Sequence, residues 1–280
     1  MSNMFKLNKN QNKNILTFNE IKISIMNKNT DIYNDIARRM ANKLKENNDK
    51  DLKTVFILPV GPRGQYRYFV KICNNENISC NNLITVNMDE FLDNNNNQLP
   101  KSSPFNFRTF MYNNFFNILK SRIKINPENI FFPDSKNQGE LYKLLNEFGG
   151  ADICFLGVGI NGHVAFNEPI SEDLITVNEF KKLKTRILDV SEETIIMTSL
   201  KYGGCLENVP RKCITIGMAE ILLSKEIRIY LEHSHQAAIL KKICYSKPTT
   251  EIPVTILKEH FNYSLTISKK VLDSYVKNKF

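Results

Sequence analysis

Apolar positions along the chain follow two kinds of pattern. Between 30 and 48, TDIYNDIARRMANKLKENN sets Ile32, Ile36, Met40 and Leu44 four residues apart among polar residues. That spacing predicts an amphipathic helix, entered through Thr30 as its N-cap. Elsewhere the apolar residues gather in short unbroken runs: TVFILP at 54–59, LITVNM at 83–88, ICFLGV at 153–158, CITIGM at 213–218 and IRIYLE at 227–232. Such runs suit strands buried on both faces of a parallel sheet, and most are separated by stretches long enough for a crossover helix. The expected fold is therefore α/β around an open, mostly parallel sheet. No internal repeat or linker divides residues 30–280, which read as a single domain; residues 1–29 are polar, weakly patterned, and read as an N-terminal extension or edge element.

Open parallel sheets bind ligands beyond the carboxyl ends of their strands, so the residues that follow each run carry the most information. After the first run comes Val60-Gly61-Pro62-Arg63-Gly64-Gln65, and after the second Asp89-Glu90. The third leads into Gly159-Ile160-Asn161-Gly162-His163, and IRIYLE into His233-Ser234-His235-Gln236.

Each of these segments offers chemistry. In LGVGINGHVAFNEP, Gly159 and Gly162 permit close backbone approach to a ligand, His163 suits proton transfer near neutral pH, and Glu168 is placed to accept from its ring. A histidine beside a turn is also a common structural device. Asp89 in VNMDEF is a candidate base for a proton on carbon next to a carbonyl, provided partial burial raises its pKa; a helix N-cap is the plainer reading. Gly61, Arg63, Gly64 and Gln65 form a glycine loop able to cradle an anion through backbone N–H groups and a guanidinium. It matches neither a Walker A nor a dinucleotide fingerprint, and an ordinary Pro-Gly turn fits it equally.

Composition narrows the class. With 42% hydrophobic and 24% charged residues the chain is ordinary globular material, and no apolar run approaches the ~18 residues of a membrane span. The basic first stretch, MSNMFKLNKNQNKN, lacks the apolar core of a secretory signal, so the cytoplasm is expected. Six cysteines are scattered without a CxxC pair and read as reduced thiols rather than a disulfide or metal framework. The net charge of +9 is spread along the chain rather than gathered beside aromatics, which argues against a nucleic-acid partner and fits small anionic substrates.

Taken in order, LPVGPRGQY, VNMDEF and GVGINGHVAFNEP resemble the strand-end motifs of the glucosamine-6-phosphate deaminase/isomerase family, and the likeness runs from about residue 30 to about 268. The resemblance implies a doubly wound, Rossmann-like sheet with helices on both faces and no metal or organic cofactor. It implies that His163, assisted by Glu168 and Asn161, opens a sugar ring, and that Asp89 then moves a proton between the second and first carbons; Glu90 accompanies Asp89 in the motif. An amino group on the second carbon would leave as ammonia.

The chain departs from the family most at the phosphate loop, where Val60-Gly61-Pro62-Arg63-Gly64 replaces TGGTP. In addition, Leu200 and Gln236 stand where the family has an arginine and a lysine. Arg63, Lys201, His233 and His235 are the candidate substitutes. Lys184 and Arg186 lie in a stretch resembling one associated with subunit contacts, so a homo-oligomer is expected. A lactonase similar to 6-phosphogluconolactonase is the second enzymatic reading, and a sugar-phosphate sensor without turnover is the third.

Overall fold

The computed structural model describes residues 6–8, 14–18, 21–136 and 138–278. In chain order the elements are β1 (Lys6–Asn8), β2 (Asn14–Phe18), β3 (Ile21–Met26), α1 (Asn29–Asn48), β4 (Thr54–Leu58), α2 (Gln65–Glu76), β5 (Leu83–Asn87), β6 (Asp89–Leu92), α3 (Phe107–Asn114) and β7 (Ile130–Phe131). There follow α4 (Glu140–Glu147), β8 (Ile153–Gly157), α5 (Val177–Phe180), β9 (Arg186–Asp189), α6 (Glu192–Ser199), β10 (Lys212–Thr215), α7 (Met218–Leu222), β11 (Ile227–Leu231), α8 (Ala237–Tyr245), β12 (Tyr263–Ser268) and α9 (Lys269–Lys277).

The main sheet has the order β1-β2-β3-β12-β11-β8-β4-β5-β7. Every pairing from β3 to β7 is parallel, and β1 and β2 add antiparallel at the β3 edge. The unbroken apolar runs have a direct cause in this layering. Along β4, Val55 and Ile57 enter one core while Phe56 and Leu58 enter the other; along β8, Cys154 and Leu156 face the first and Ile153 and Phe155 the second. Side chains alternate across a strand, so a sheet covered on both faces needs apolar residues at every position. The first layer is supplied by α4, α7, α8 and α9, the second by α1, α2 and α3. On α1 the four residues spaced by four are all buried, as their period requires. Its start differs from expectation. The helix begins at Asn29, and the N-cap backbone N–H of Lys28 donates to the Asp31 carboxylate (3.0 Å).

Two further differences concern strands. Ile21, Ile23 and Ile25 of β3 alternate into the core, a pattern hidden in a segment read as weakly patterned. The basic stretch at the start of the chain lies largely outside the described residues. The run CITIGM does not join the main sheet: its strand, β10, is the centre of a small antiparallel sheet, β6-β10-β9. That sheet carries a third apolar cluster, built on Phe91, Phe105, Phe166 and Val209.

The winding decides where a ligand can enter. From β4 the chain proceeds through β5 to β7 on one side, whereas β8, β11 and β12 proceed to the other. The direction reverses between adjacent β4 and β8, so the loops leaving their carboxyl ends diverge and open a crevice.

Candidate active site

A cavity of about 200 Å³ occupies that crevice. Among its lining residues are Gly61 and Arg63 from the loop after β4, Asp89 at the start of β6, Gly159 and His163 from the loop after β8, Lys201 after α6, and Glu232 and His233 after β11. Residues far apart in the chain, from Pro59 to Gln236, thus line one cavity, through the convergence of strand ends rather than local sequence.

Asp89 is set by the junction of the two sheets. At the end of β5, the Met88 N–H still donates to Leu58 O (3.1 Å), while its carbonyl accepts from Ile216 N (2.8 Å). The next residue, Asp89, already pairs with Thr215 of β10 in antiparallel register. Burial, followed by the charge of adjacent Glu90, pushes the Asp89 carboxyl up to about 8.

His163 is held by a network behind the cavity wall. Its Nδ1 lies 2.8 Å from Asn161 Oδ1 and 3.1 Å from Glu168 Oε2. Asn161 Nδ2 also donates to Glu168 Oε2 (2.8 Å), and the Thr194 hydroxyl donates to Glu168 Oε1 (2.8 Å). Burial alone would raise the Glu168 carboxyl, but the hydrogen bonds from His163, Asn161 and Thr194 hold it at about 2. An ionised Glu168 favours a proton on Nδ1, leaving Nε2 as the nitrogen that can exchange protons. Ser191 caps α6 through Thr194 N (3.3 Å) and takes a bond from Asn161 Nδ2 (3.3 Å), which ties the network to a helix terminus.

The loop backbone makes this possible. A Cβ on Gly159 would fall 2.1 Å from His163 Cε1, so only glycine leaves room for the ring. Gly162 has φ +94°, a left-handed turn that glycine adopts without strain, and its carbonyl accepts from Val254 N (2.9 Å). The Phe166 N–H donates to Thr215 Oγ1 (3.0 Å), and Asn167 Nδ2 donates to Ile216 O (2.9 Å). One strand, β10, therefore supports both the Asp89 segment and the His163 loop.

Several candidates fall outside the cavity lining. Glu90 turns away: its carboxylate accepts from the backbone N–H groups of Phe107 and Arg108 (both 2.7 Å) at the start of α3, so it anchors a helix rather than a ligand. Burial raises its pKa to about 7 against the pull of those bonds. Gly64 lies against the Tyr33 ring, and Gln65 is sealed at 1% exposure in the first turn of α2. His235 stacks on His233, with centroids 5.3 Å apart, instead of reaching the cavity. Asn161 and Glu168 act from behind His163, and Gly162 only shapes the turn.

Sequence reasoning passed over Thr194, Tyr202 and Glu232, all of which line the cavity. Thr194 lies in, and Tyr202 just after, a short helix that no buried strand run precedes, so the strand-end rule did not point to them; Glu232 directly ends the run IRIYLE, which is a signal that was present.

No family model matches the chain. Curated relatives do. A glucosamine-6-phosphate deaminase of Thermoanaerobacter sp. strain X514 is 30% identical over 246 residues, covering 85% of this chain and 90% of the relative. One from Borrelia garinii subsp. bavariensis is 32% identical over 251 residues, covering 85% and 87%. The chain belongs to the glucosamine-6-phosphate deaminase family. A solved monomeric glucosamine-6-phosphate deaminase superposes with a TM-score of 0.77 at 25% identity, over 90% of this chain and 99% of that one. A 6-phosphogluconolactonase of Thermotoga maritima shares the fold alone, with a TM-score of 0.63 at 15% identity over 88% and 99%.

In this member of the glucosamine-6-phosphate deaminase family, the two positions where the resemblance led us to expect a lysine and an arginine are uncharged. Gln236, in place of a lysine, is structural: its Nε2 donates to Val158 O (2.6 Å) and its Oε1 accepts from Glu232 N and His233 N (both 2.8 Å), clamping the ends of β8 and β11. Leu200, in place of an arginine, is 66% exposed. Arg63 and Lys201 are the cations that remain at the cavity, Arg63 steadied by a bond to the Tyr202 hydroxyl (2.8 Å).

Proposed function

We propose that this protein converts an amino sugar phosphate, glucosamine-6-phosphate or a close relative, into a ketose phosphate and ammonia. The observation that carries the reading is that the Asp89 carboxyl and the His163 imidazole line one cavity at the switch point of the sheet. The His163 ring has Nδ1 occupied by Asn161 and Glu168. His163 Nε2 takes the proton of the anomeric hydroxyl and returns it to the ring oxygen, opening the pyranose. Asp89 removes the proton from the second carbon and delivers it to the first through an enol-type intermediate. The resulting ketimine adds water at the second carbon and expels ammonia. Arg63, Lys201 and His233 face the phosphate. The residue roles are those the motif resemblance implies, supported by the geometry above.

The direct test is to mix purified protein with glucosamine-6-phosphate, galactosamine-6-phosphate and unaminated hexose phosphates, and measure ammonia and ketose. Turnover of at least one is expected. Binding without turnover across the panel would leave a sensor, and hydrolysis of a 6-phosphogluconolactone instead would favour the lactonase reading.

The cytoplasm is the proposed setting, supported by a sugar-phosphate substrate and by Cys73, Cys80, Cys154 and Cys213, which are buried as thiols. No helix among the described residues is long and apolar enough to cross a membrane. A homo-oligomer is proposed on the Lys184 and Arg186 stretch alone. A light-scattering mass of one chain would remove it, and would match the monomeric relative.

A further inference from the structure

The cavity holds two cations from separate parts of the chain. Arg63 stands in the loop after β4, and Lys201 in the 3-10 turn Leu200–Tyr202 that follows α6. Among the described residues neither enters an ion pair. Glu232 is the carboxylate at this end of the cavity, and it is occupied elsewhere. Its Oε1 lies 3.0 Å from His233 Nε2, and the Tyr33 hydroxyl of α1 hydrogen-bonds the same group. The cations nevertheless feel one another. Burial pulls the Lys201 pKa down and the charge of Arg63 adds to that effect, with Glu232 opposing. Two like charges brought together without a counter-charge are unfavourable, and an anion bound by both removes the penalty.

Arg63 is exposed, in a loop with glycines at Gly61 and Gly64, so its position over the cavity needs a cause. Tyr202 supplies it. Arg63 Nη2 donates to the Tyr202 hydroxyl (2.8 Å), and that hydroxyl donates in turn to Pro104 O (3.1 Å). A phenol has one proton; with it spent on the carbonyl, the oxygen lone pairs are left for a guanidinium, which can only donate. The direction of both bonds is thereby fixed. The guanidinium also lies over the Phe110 and Tyr202 rings, at 5.2 and 5.7 Å, while the Tyr202 ring packs on Phe105 with centroids 4.6 Å apart. Each of these partners is uncharged, so the brace holds the arginine without neutralising it.

We propose that Tyr202 is a positioning residue for the anionic group of the ligand, holding the Arg63 guanidinium beside Lys201 before the ligand arrives. One short turn then contributes a cation directly, through Lys201, and fixes the second through its neighbour. The binding cost this avoids is the freezing of a long, exposed side chain, which an unbraced arginine would incur each time an anion bound. The proposal rests on the reading of the chain as a sugar-phosphate deaminase, whose anion site it specifies.

The test is a double-mutant cycle of Tyr202→Phe and Arg63→Gln, read by steady-state kinetics with glucosamine-6-phosphate and by calorimetric binding of inorganic phosphate. Phenylalanine keeps the ring against Phe105 and the guanidinium and removes only the hydroxyl; thermal melting of each variant establishes that it folds. Tyr202→Phe alone should raise KM, and the Kd for phosphate, by about tenfold, the loss falling on KM rather than on kcat. In the Arg63→Gln background the same substitution should change either constant by less than about twofold, because the hydroxyl then has no guanidinium to hold.

Constants untouched by Tyr202→Phe would overturn the proposal. So would a rise of equal size in both backgrounds, which would mark Tyr202 as support for the Pro104-Phe105 segment alone, or a loss confined to kcat. Phosphate binding needs no turnover, which separates the failures. The expected pattern in Kd without turnover of any amino sugar phosphate would remove the deaminase reading and leave Tyr202 as the brace of an anion site. Turnover without the pattern would remove only the role of Tyr202, and the absence of both phosphate binding and turnover would remove the two together.

Discussion

A carboxyl buried as deeply as that of Asp89 holds its proton to about pH 8 in the folded chain, against an ordinary value of 3.8. The unfolded chain therefore binds fewer protons between those values, and stability is lost as pH rises through that window. Asp89→Asn removes the penalty. We expect this variant to lose turnover and to melt several degrees above wild type at pH 8, the difference shrinking toward pH 4, as thermal denaturation at both pH values would read. The same group sets the rate profile, because a base must be ionised: kcat/KM should rise with pH along a limb near pH 8. If the substrate carries an ammonium group beside Asp89, the limb in kcat should lie lower, since a nearby cation favours the carboxylate. With an unaminated sugar phosphate the two limbs should coincide. Asp89 and His163 were legible as candidates because each follows a buried apolar run. That Glu90 would turn toward α3 was not, because adjacent residues of a strand point to opposite faces and the sequence does not say which of the pair takes the cavity face.

At the level of elements, β10 couples the two halves of the site. Thr215 pairs with Asp89 in register and its Oγ1 accepts the Phe166 N–H, so the base and the His163 loop share one support. Thr215→Val keeps the volume but leaves that buried N–H without an acceptor, at a cost of about 1–3 kcal/mol. We expect a lower melting temperature together with a fall in kcat larger than any change in KM, measurable by steady-state kinetics on the folded protein. A fall confined to KM would mean that the strand supports binding rather than the reacting groups. The run CITIGM announced a buried strand correctly, yet its sheet could not be read from it. A strand at the centre of a small antiparallel sheet with apolar packing is as evenly hydrophobic as one in a parallel sheet, and only pairing partners distinguish the two. The part played by α6 was hidden for a similar reason. Ser191 and Thr194 look like any helix start until the fold brings Ser191 to Asn161 and Thr194 to Glu168.

Over the whole molecule, net charge and topology act together. With a net charge of +9 and Arg63 and Lys201 at the cavity, a phosphorylated substrate should be drawn in electrostatically. KM should therefore climb as ionic strength is raised, because the screening length shrinks from ~10 Å at 0.1 M toward ~3 Å at 1 M, while kcat stays nearly constant. A KM indifferent to salt would count against an anionic substrate. The sequence by itself determined the fold class and where chemistry could lie, because burial on both faces writes continuous apolar runs and glycine-rich strand ends into the chain. Which strands adjoin was decided only by tertiary packing, and with it the switch point between β4 and β8 and the turning of Glu90 away from the cavity. These are contacts between residues far apart in the chain, and a linear pattern records what each residue needs but not which distant group supplies it.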